Sequence, residues 1–521
     1  MPGKKSISKL PLICGFQSPT DKSCSLLVSE QTGCLSVMHT LFTKPRILAS
    51  SICLVWGSFF SSIVSAETES TTPQETTTIA SEATSAKNVI LIIGDGMDDH
   101  QITIARNYLA GVNGRLSLDT MARRSIAQVL TVSNMEPDLP VYVADSANSA
   151  TSIATGTVTS RGRISTTAGS DEDLRTIVEM ASEAGIKTGL VSTASVTDAT
   201  VAAFYAHISL RVCENPSMMR DALLFDRIPI DCSPDMKENG GLGSISEQLV
   251  SSNLNLALGG GTKHFSPIME GKDVSVATAA EAAGFQVLRT IEDLNSASLE
   301  TRWLGLFAPS TMPIRLQGEG GRSAESPLPS FMNRVHWSQG DVTLPEPTTC
   351  EENPEFAGTP SLKLMTDRAL DQLSHNNTNG FFLMIESASI DKQSHLRNAC
   401  GSIGEVAQLE EALQSALGFA NKNPETLIIV TADHGQAAQL VPTESLFDAF
   451  GLPVYTPGQV MRIRTPEGAL MTVNYATNSF LSEEHTGVSV PVLTNSTGPF
   501  PTMLTQPDLF DIMTDHLGLA D

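Results

Sequence analysis

The stretch NVILIIG, residues 88–94, is a continuous apolar run rich in β-branched residues. A run without alternating polar positions predicts a strand that is covered on both faces. Four further runs of this kind follow, with helix-like segments between them. They are TGLVST (188–193), LNLALGG (254–260), FFLMIES (381–387) and TLIIVTA (426–432). Alternating strands and helices predict an α/β fold, a three-layer sandwich whose largely parallel central sheet is flanked by helices.

Two segments between the strands predict flanking helices. SDEDLRTIVEMASEAG (170–185) has acidic residues after Ser170, apolar residues at helical spacing and a glycine, Gly185, at its end. GEVAQLEEALQSALGFANK (404–422) shows the same apolar spacing. We therefore expect one helix in each segment.

Two other segments lack a regular pattern and predict excursions from the sheet. Residues 310–360 are rich in Pro, Gly and Ser, which is typical of a path over the surface. Residues 440–480 separate two segments that carry candidate site residues. We expect this second excursion to form a small cap on a catalytic domain that spans 87–521.

The start of the chain has the pattern of a signal peptide over residues 38–66. A basic segment, an apolar segment and a small-residue end follow one another, with Val64 and Ala66 placed as at a cleavage site. The apolar part is short, which favours cleavage over a permanent membrane anchor. We expect a periplasmic or secreted protein in which residues 1–37 are not translated or not part of the mature chain. Residues 67–86, almost all Thr, Ser, Glu and Ala, are expected to form a flexible leader.

Cysteine usage agrees with export. Of the eight cysteines, four precede the expected cleavage site, and the remaining four are Cys213, Cys232, Cys350 and Cys400. An even number without ligand-like spacing predicts two disulfides. Three pairings are possible; Cys213 with Cys232 is the local one, which leaves Cys350 with Cys400. Four buried free thiols are the alternative.

The charge of the chain limits its partners. The formal net charge is −24, and residues 1–66 carry six basic against two acidic residues, so the mature part stands near −28. An acidic surface repels phosphate backbones, so we expect no nucleic-acid partner. Any site for a phosphate group must be made locally positive by metal ions or arginine.

Acidic and imidazole side chains follow the strand-like runs, in the position where α/β enzymes build their sites. Asp95 stands between Gly94 and Gly96, which allow the backbone to turn sharply and expose the carboxylate. Taken alone, each such residue is as easily explained by a turn or by packing. The full set is Asp95, Glu386, Asp391, His395, Asp433, His434 and His485.

Spacing groups these residues into candidate ion sites. Asp391 and His395 are four apart, so a helical turn places both on one face, and His485 could complete that site. The adjacent Asp433 and His434 could bind a second ion together with Asp95. Mixed nitrogen and carboxylate ligands suit zinc, whereas an all-oxygen site that includes Glu386 suits magnesium.

The segment VADSANSATSIATG (143–156) offers Ser146 as a nucleophile. Small residues follow it and predict a helix that begins at Ser146, whose free backbone N–H groups favour a bound phosphate. The competing interpretation is an ordinary N-cap serine. Arg211 could bind two phosphate oxygens through its planar guanidinium group.

The motifs IGDGM, DSANSAT, VTDATVAAFYAH, IESASIDKQSH, TADHG and EEHTG, in this order, resemble those of the bacterial alkaline phosphatases. The resemblance extends from about residue 87 to the C-terminus. It implies a phosphomonoesterase with two zinc ions and one magnesium ion per subunit, a transient phosphoserine and a homodimer. Asn148 departs from the family, which often has alanine there.

The resemblance also implies a role for each matching residue. Ser146 would be the nucleophile and Arg211 would bind the phosphate. Asp391, His395 and His485 would hold one zinc ion, and Asp95, Asp433 and His434 the zinc ion that activates Ser146. Asp95, Thr200 and Glu386 would hold the magnesium ion, with Asp198 and Lys392 in its outer shell. The family's two disulfides fall on Cys213 with Cys232 and on Cys350 with Cys400.

Two other classes of function remain alternatives. Sulfatases and phosphodiesterases share the metal scaffold, but SANSA lacks the Pro and Arg of a sulfatase motif, and diesterases typically have no equivalent of Arg211. An exported phosphate- or metal-binding protein without turnover is the other alternative, and it would lack the nucleophile or part of the zinc set.

Overall fold

A ten-stranded sheet forms the centre of the computed structural model, which describes residues 86–221, 223–224 and 227–519. The predicted signal peptide over 38–66, the segment 1–37 and the leader up to residue 85 lie outside the described residues. The sheet strands are β1 Asn88–Gly94, β2 Arg123–Gln128, β3 Lys187–Ser195, β4 Leu256–Gly260, β5 Phe285–Leu288, β6 Arg302–Leu306, β7 Phe381–Ser387, β8 Thr426–Ala432, β9 Val490–Thr494 and β10 Met503–Thr505. All five predicted strands are present.

The strand order is β10-β2-β9-β8-β1-β7-β3-β4-β6-β5. The seven strands from β8 to β5 are parallel, and β9 alone runs against the others. β1, β7 and β8 are buried along their whole length. That burial explains why their sequences are continuously apolar rather than alternating.

Helices cover both faces of the sheet. They are α1 Asp99–Leu109, α2 Ser146–Thr155, α3 Ile177–Glu183, α4 Ala199–Ala202, α5 Met218–Asp221, α6 Ile245–Ser251, α7 Thr262–Phe265, α8 Val276–Ala282, α9 Ile291–Ser296, α10 Phe331–Val335, α11 Leu362–Ser374, α12 Ser389–His395, α13 Ala399–Ala420 and α14 Gln506–Leu517. α13 packs against α1, α11 and α12, whereas α2 packs against α3, α4 and α14. Helices of both groups contact β1 and β7, which gives the predicted three layers. In the described part of the chain, none of the helices combines the length and the apolar character that crossing a bilayer requires.

The helix predicted over 170–185 is wrong at its start. α3 begins at Ile177, because the Thr176 hydroxyl accepts from the Glu179 backbone N–H at 3.2 Å and the Glu179 carboxylate accepts from the Thr176 N–H at 2.8 Å. This reciprocal capping box satisfies two N–H groups that a helix start leaves open. Asp171 has φ +60°, outside the helical region, so the acidic run precedes the helix. The helix predicted over 404–422 is present and starts earlier, at Ala399.

The two excursions meet each other. Strands Gln439–Val441, Gln459–Arg464 and Leu470–Tyr475 form a small antiparallel sheet in and beside the segment 440–480. The segment 310–360 reaches this sheet through two isolated bridges, Glu325 to Val460 and Thr348 to Ile463. A local pattern cannot reveal such pairing, because the bridged residues are more than 100 positions apart.

Both disulfides agree with the predicted pairing. Cys213 is bonded to Cys232, with a Cα–Cα distance of 6.1 Å, and Cys350 to Cys400, with a Cα–Cα distance of 5.3 Å. The second bond ties the surface excursion 310–360 to α13. The two bonds close loops of 19 and 50 residues respectively.

We expect loss of the Cys350–Cys400 bond to destabilise the protein more than loss of the Cys213–Cys232 bond. Loop-closure entropy gives about 4 kcal/mol for the longer loop and about 3 kcal/mol for the shorter one. Denaturant unfolding of the two Cys→Ser double variants measures this difference. Equal stabilities, or a larger loss for the Cys213→Ser/Cys232→Ser protein, would contradict the prediction.

Candidate active site

Strand register brings three segments with acidic residues to one edge of the sheet. Gly94 at the end of β1 pairs with Ser387 of β7 on one side and with Ala432 of β8 on the other. Asp95 and Asp433 directly follow Gly94 and Ala432, and Glu386 directly precedes Ser387. Parallel strands end at the same edge, so these carboxylates converge there, where α/β folds place their ligand sites.

The first group of possible metal ligands is Asp95, Asp433 and His434, whose ligand atoms all lie within 4.8 Å of one another. His434 Nε2 is 3.4 Å from Asp95 Oδ1 and 3.4 Å from Asp433 Oδ2. These two carboxylate oxygens are buried, and no described residue donates a hydrogen bond to either. Buried acceptors without donors are costly, so the pair suits a bound cation.

The pKa shifts of this group also favour a bound cation. Burial, followed by the charge of Asp433, raises the pKa of the Asp95 carboxyl well above its usual range. Burial also lowers the pKa of His434 to about 4, so the imidazole is neutral, the form that binds metal. The Gly96 backbone N–H donates to Asp433 Oδ1 at 2.9 Å and fixes that carboxylate.

The second group contains Asp391, His395 and His485. His395 Nε2 is 3.2 Å from Asp391 Oδ2, His485 Nε2 is 3.4 Å from Asp391 Oδ1, and the two Nε2 atoms are 3.1 Å apart. The Nδ1 atoms of both rings face backbone carbonyls, that of His485 lying 2.9 Å from Ala144 O. Ring orientation therefore leaves each Nε2 free for a ligand. His434 lies within 4.8 Å of Asp391 and His485 as well, so the two groups are adjacent.

Glu386 and Thr200 form a third, all-oxygen contact. Glu386 is buried, and burial, followed by the charge of Asp198, raises its pKa to about 7. The hydroxyls of Ser192 and Thr200 both bond to its carboxylate. Oxygen donors of this kind suit magnesium better than zinc.

Ser146 is the first residue of α2 and is not its N-cap. The cap is Asp145, whose carboxylate accepts from the Asn148 N–H at 3.2 Å, while the Asn148 side chain accepts from the Asp145 N–H at 2.9 Å. The N-cap interpretation of Ser146 is therefore wrong. Its hydroxyl points instead toward the first group of ligands, with Oγ 3.2 Å from His434 Nε2.

Arg211 is held between two carboxylates beside the nucleophile. Its guanidinium group lies 3.3 Å from Asp145 Oδ2 and 3.1 Å from Asp198 Oδ1. Lys392 Nζ lies 2.6 Å from the other oxygen of Asp198. Burial alone would raise the pKa of Asp198, but Lys392 and Arg211 outweigh it and hold that pKa well below the usual range. The two cations are thus fixed in position.

Comparison with known proteins shows to which family the protein belongs. The alkaline phosphatase family model matches residues 86–499. The alkaline phosphatase of Escherichia coli is 38% identical over 445 residues, which cover 83% of this chain and 86% of that protein. This chain belongs to the alkaline phosphatase family. It is a metal-binding hydrolase of phosphate monoesters, as the resemblance of its motifs implied.

Two further comparisons place this alkaline phosphatase among its relatives. Streptomycin-6-phosphate phosphatase of Streptomyces griseus is 37% identical, over 83% of this chain and 91% of that protein. The crystal structure of Thermus thermophilus alkaline phosphatase superposes with a TM-score of 0.58 at 22% identity, covering 87% of this chain and 96% of that one. The second comparison shows a shared fold and confirms the predicted fold class. Membership of this family argues against the alternatives of a sulfatase, a diesterase and a binding protein without turnover.

Three residues that contact the alkaline phosphatase site were missed in the sequence. Asp145 caps α2 and pairs with Arg211, Asn148 completes the capping box, and Gln436 donates a short hydrogen bond to Asp391. An acidic residue just before the helix, with a side-chain acceptor three residues later, is a capping signal that could have revealed the first two. The contact of Gln436 depends on the tertiary fold and has no local signal.

Proposed function

We propose that this alkaline phosphatase transfers the phosphoryl group of a monoester to Ser146 Oγ and then to water. The observation that carries the proposal is the position of Ser146 Oγ, 3.2 Å from His434 Nε2 at the start of α2. The helix start contributes unpaired backbone N–H groups and a positive dipole end, both of which favour a phosphate group. Trapping the enzyme with substrate at acidic pH, followed by peptide mass spectrometry, tests whether phosphate is bound to Ser146.

The donor set fits the proposed metals. One zinc ion would be held by Asp391, His395 and His485. A second zinc ion would be held by Asp95, Asp433 and His434. The magnesium ion would be held by Asp95, Thr200 and Glu386. The buried oxygens without donors in Asp95 and Asp433 support the assignment. When bound, such cations supply Lewis-acid stabilisation of negative charge on the oxygens of the transferring group.

The residues of the chain account for binding and orientation of the substrate. Arg211, fixed between Asp145 and Asp198, presents its guanidinium group to two phosphate oxygens. Lys392 and Asp198 contribute an outer pair that acts through water. In the first step a bond forms from Ser146 Oγ, which loses its proton to solvent, to phosphorus, while the bond from phosphorus to the alcohol oxygen breaks and that oxygen takes up a proton. In the second step a bond forms from a water oxygen to phosphorus, the bond to Ser146 Oγ breaks, and the water proton passes to the serine oxygen as inorganic phosphate leaves.

These groups would contact the phosphate rather than the alcohol part of the substrate. We therefore propose a broad range of monoesters as substrates. The Streptomyces griseus relative is named for a single monoester, streptomycin 6-phosphate. Turnover rates across esters of different size but similar leaving-group pKa test this breadth.

Export to the periplasm or the medium remains a proposal. It is supported by the two disulfides, which persist in oxidising compartments, and by the signal-like segment 38–66. A homodimer remains a prediction from the family resemblance. N-terminal sequencing of the exported protein and sedimentation analysis test these two points.

We expect the Arg211→Lys variant to lose about 10- to 100-fold in kcat/KM. A hydrogen bond to a charged group contributes about 1.5–3 kcal/mol, and an ammonium group cannot reproduce the bidentate contact. Inhibition by inorganic phosphate should weaken in parallel, because it uses the same contact. The control is Arg302→Lys, since Arg302 stacks on Phe285 at 3.8 Å, away from the site. Unchanged phosphate inhibition in Arg211→Lys would contradict the role.

A further inference from the structure

A buried ion pair lies beside the second group of ligands. Arg397 Nε is 2.6 Å from Glu483 Oε2, and the side chains are 8% and 0% exposed. Burying two charges is costly unless both are fully paired, and removing one partner leaves an unpaired buried charge. Neither residue belongs to any of the three ligand groups.

The pair joins the two segments that carry the histidines. Arg397 lies two residues after His395, in a left-handed conformation with φ +56° just past the end of α12. Glu483 lies two residues before His485. The backbones of the two segments are also joined, because the Glu483 N–H donates to His395 O at 3.0 Å and Glu483 O bonds to His395 Nδ1.

The remaining contacts of the pair hold the loop that carries His485. Arg397 Nη2 donates to Phe480 O at 2.7 Å, and Glu483 Oε1 accepts from the Thr477 hydroxyl at 2.8 Å. Residues 476–489 contain no helix or strand, and an isolated bridge between Thr486 and Gly435 holds this loop on the C-terminal side of His485. On the N-terminal side of His485, the ion pair supplies the constraints that helix α12 supplies for His395.

We propose that Arg397 and Glu483 are positioning residues that set the separation of the His395 and His485 imidazoles and thereby the metal affinity of the Asp391, His395 and His485 group. The inference rests on the proposed function, since it assumes that this group binds zinc. Partners behind metal-bound histidines typically account for 10- to 100-fold in metal affinity. Loss of the pair should lower the zinc affinity of this one group. The zinc affinity of the Asp95, Asp433 and His434 group should stay unchanged, because the pair does not contact its residues.

The experiment compares zinc retention in native protein and in Glu483→Gln after graded exposure to a chelator, with bound zinc counted by elemental analysis. We expect the variant to release one zinc ion per chain at a chelator concentration about 10- to 100-fold lower, while the second ion is released as in the native protein. The control is Glu247→Gln. Glu247 is equally buried and pairs with Lys237 at 2.9 Å, but neither residue contacts the ligand groups.

A second variant removes the charges without leaving one unpaired. Arg397→Met/Glu483→Leu should fold, because an apolar pair of similar volume avoids the unpaired charge. This variant should still release the same zinc ion at a lower chelator concentration than the native protein, because the contacts to Phe480 and Thr477 are gone. Zinc release equal to the native protein in both variants, or equally early release in Glu247→Gln, would overturn the inference. Absence of bound zinc or of phosphoserine in the native protein would instead overturn the proposed function.

Discussion

The Ser146→Ala variant is expected to lose on the order of 10³-fold or more in kcat/KM for phosphate monoesters. The physical reason is that Ser146 Oγ is the proposed nucleophile, and the methyl group of alanine has no oxygen to form the bond to phosphorus. Residual activity is expected, because Arg211 and the cations of the proposed sites would still bind and polarise the ester. Steady-state hydrolysis of a chromogenic phosphate ester measures the loss, and acid trapping should show no phosphoserine in the variant.

The chain offers a matched control for this substitution. Ser149 lies one turn further along α2, is fully buried, and its hydroxyl has no hydrogen-bond partner among the described residues. Ser149→Ala should therefore retain native activity and native phosphoserine formation. A Ser146→Ala protein with near-native turnover would rule out the nucleophile assignment.

The second large effect is expected on removal of metal. Dialysis against a chelator should reduce hydrolysis to background and lower the melting temperature. Activity should fall because no cation then stabilises the negative charge of the transferring group. The melting temperature should fall because the buried carboxylates of Asp95 and Asp433 then repel each other without a bound cation between them. Readdition of zinc with magnesium should restore activity, and calcium should not, because histidine nitrogen is a poor calcium ligand. Elemental analysis and thermal melts of the same samples give the measurement.

A ligand variant tests the same point without a chelator. Asp433→Asn should lower kcat/KM by more than about 100-fold, beyond the loss that outer-shell substitutions typically cause. The matched control is Glu405→Gln, a buried acid whose pKa burial raises to about 7 and which already accepts from Gln408 at 2.8 Å. Metal content and activity of the control should be native. Full activity in chelated protein that contains no metal would refute the metal assignment.

Much of the site was predictable because its residues follow buried strands. Asp95 and Asp433 come directly after continuous apolar runs, and the carboxyl ends of parallel strands meet at one edge. The spacing of Asp391 and His395 predicted that they share a helix face, and the structure places both on α12. The roles of these residues as ligands stay predictions until metal is measured.

Other parts had no signal in the sequence. Arg397 and Glu483 are 86 residues apart and meet only because α12 and the loop before β9 are brought together. Gln436 and Asp391, which form a hydrogen bond, are 45 residues apart. The start of α3 was predicted seven residues early because an acidic run resembles a first turn, whereas the capping box at Thr176 decides the boundary.

The sequence by itself determined the layered α/β fold and the strand-end placement of the acidic residues. These features follow from short-range physics, because continuous burial selects apolar runs and the chain fixes which polar residue comes next. Only the tertiary structure decided which side chains touch. Asp145 meets Arg211, the two excursions meet each other, and a buried ion pair holds the loop of His485. Such contacts depend on strand order and helix packing, which act across the whole chain and leave no periodic trace in any one segment.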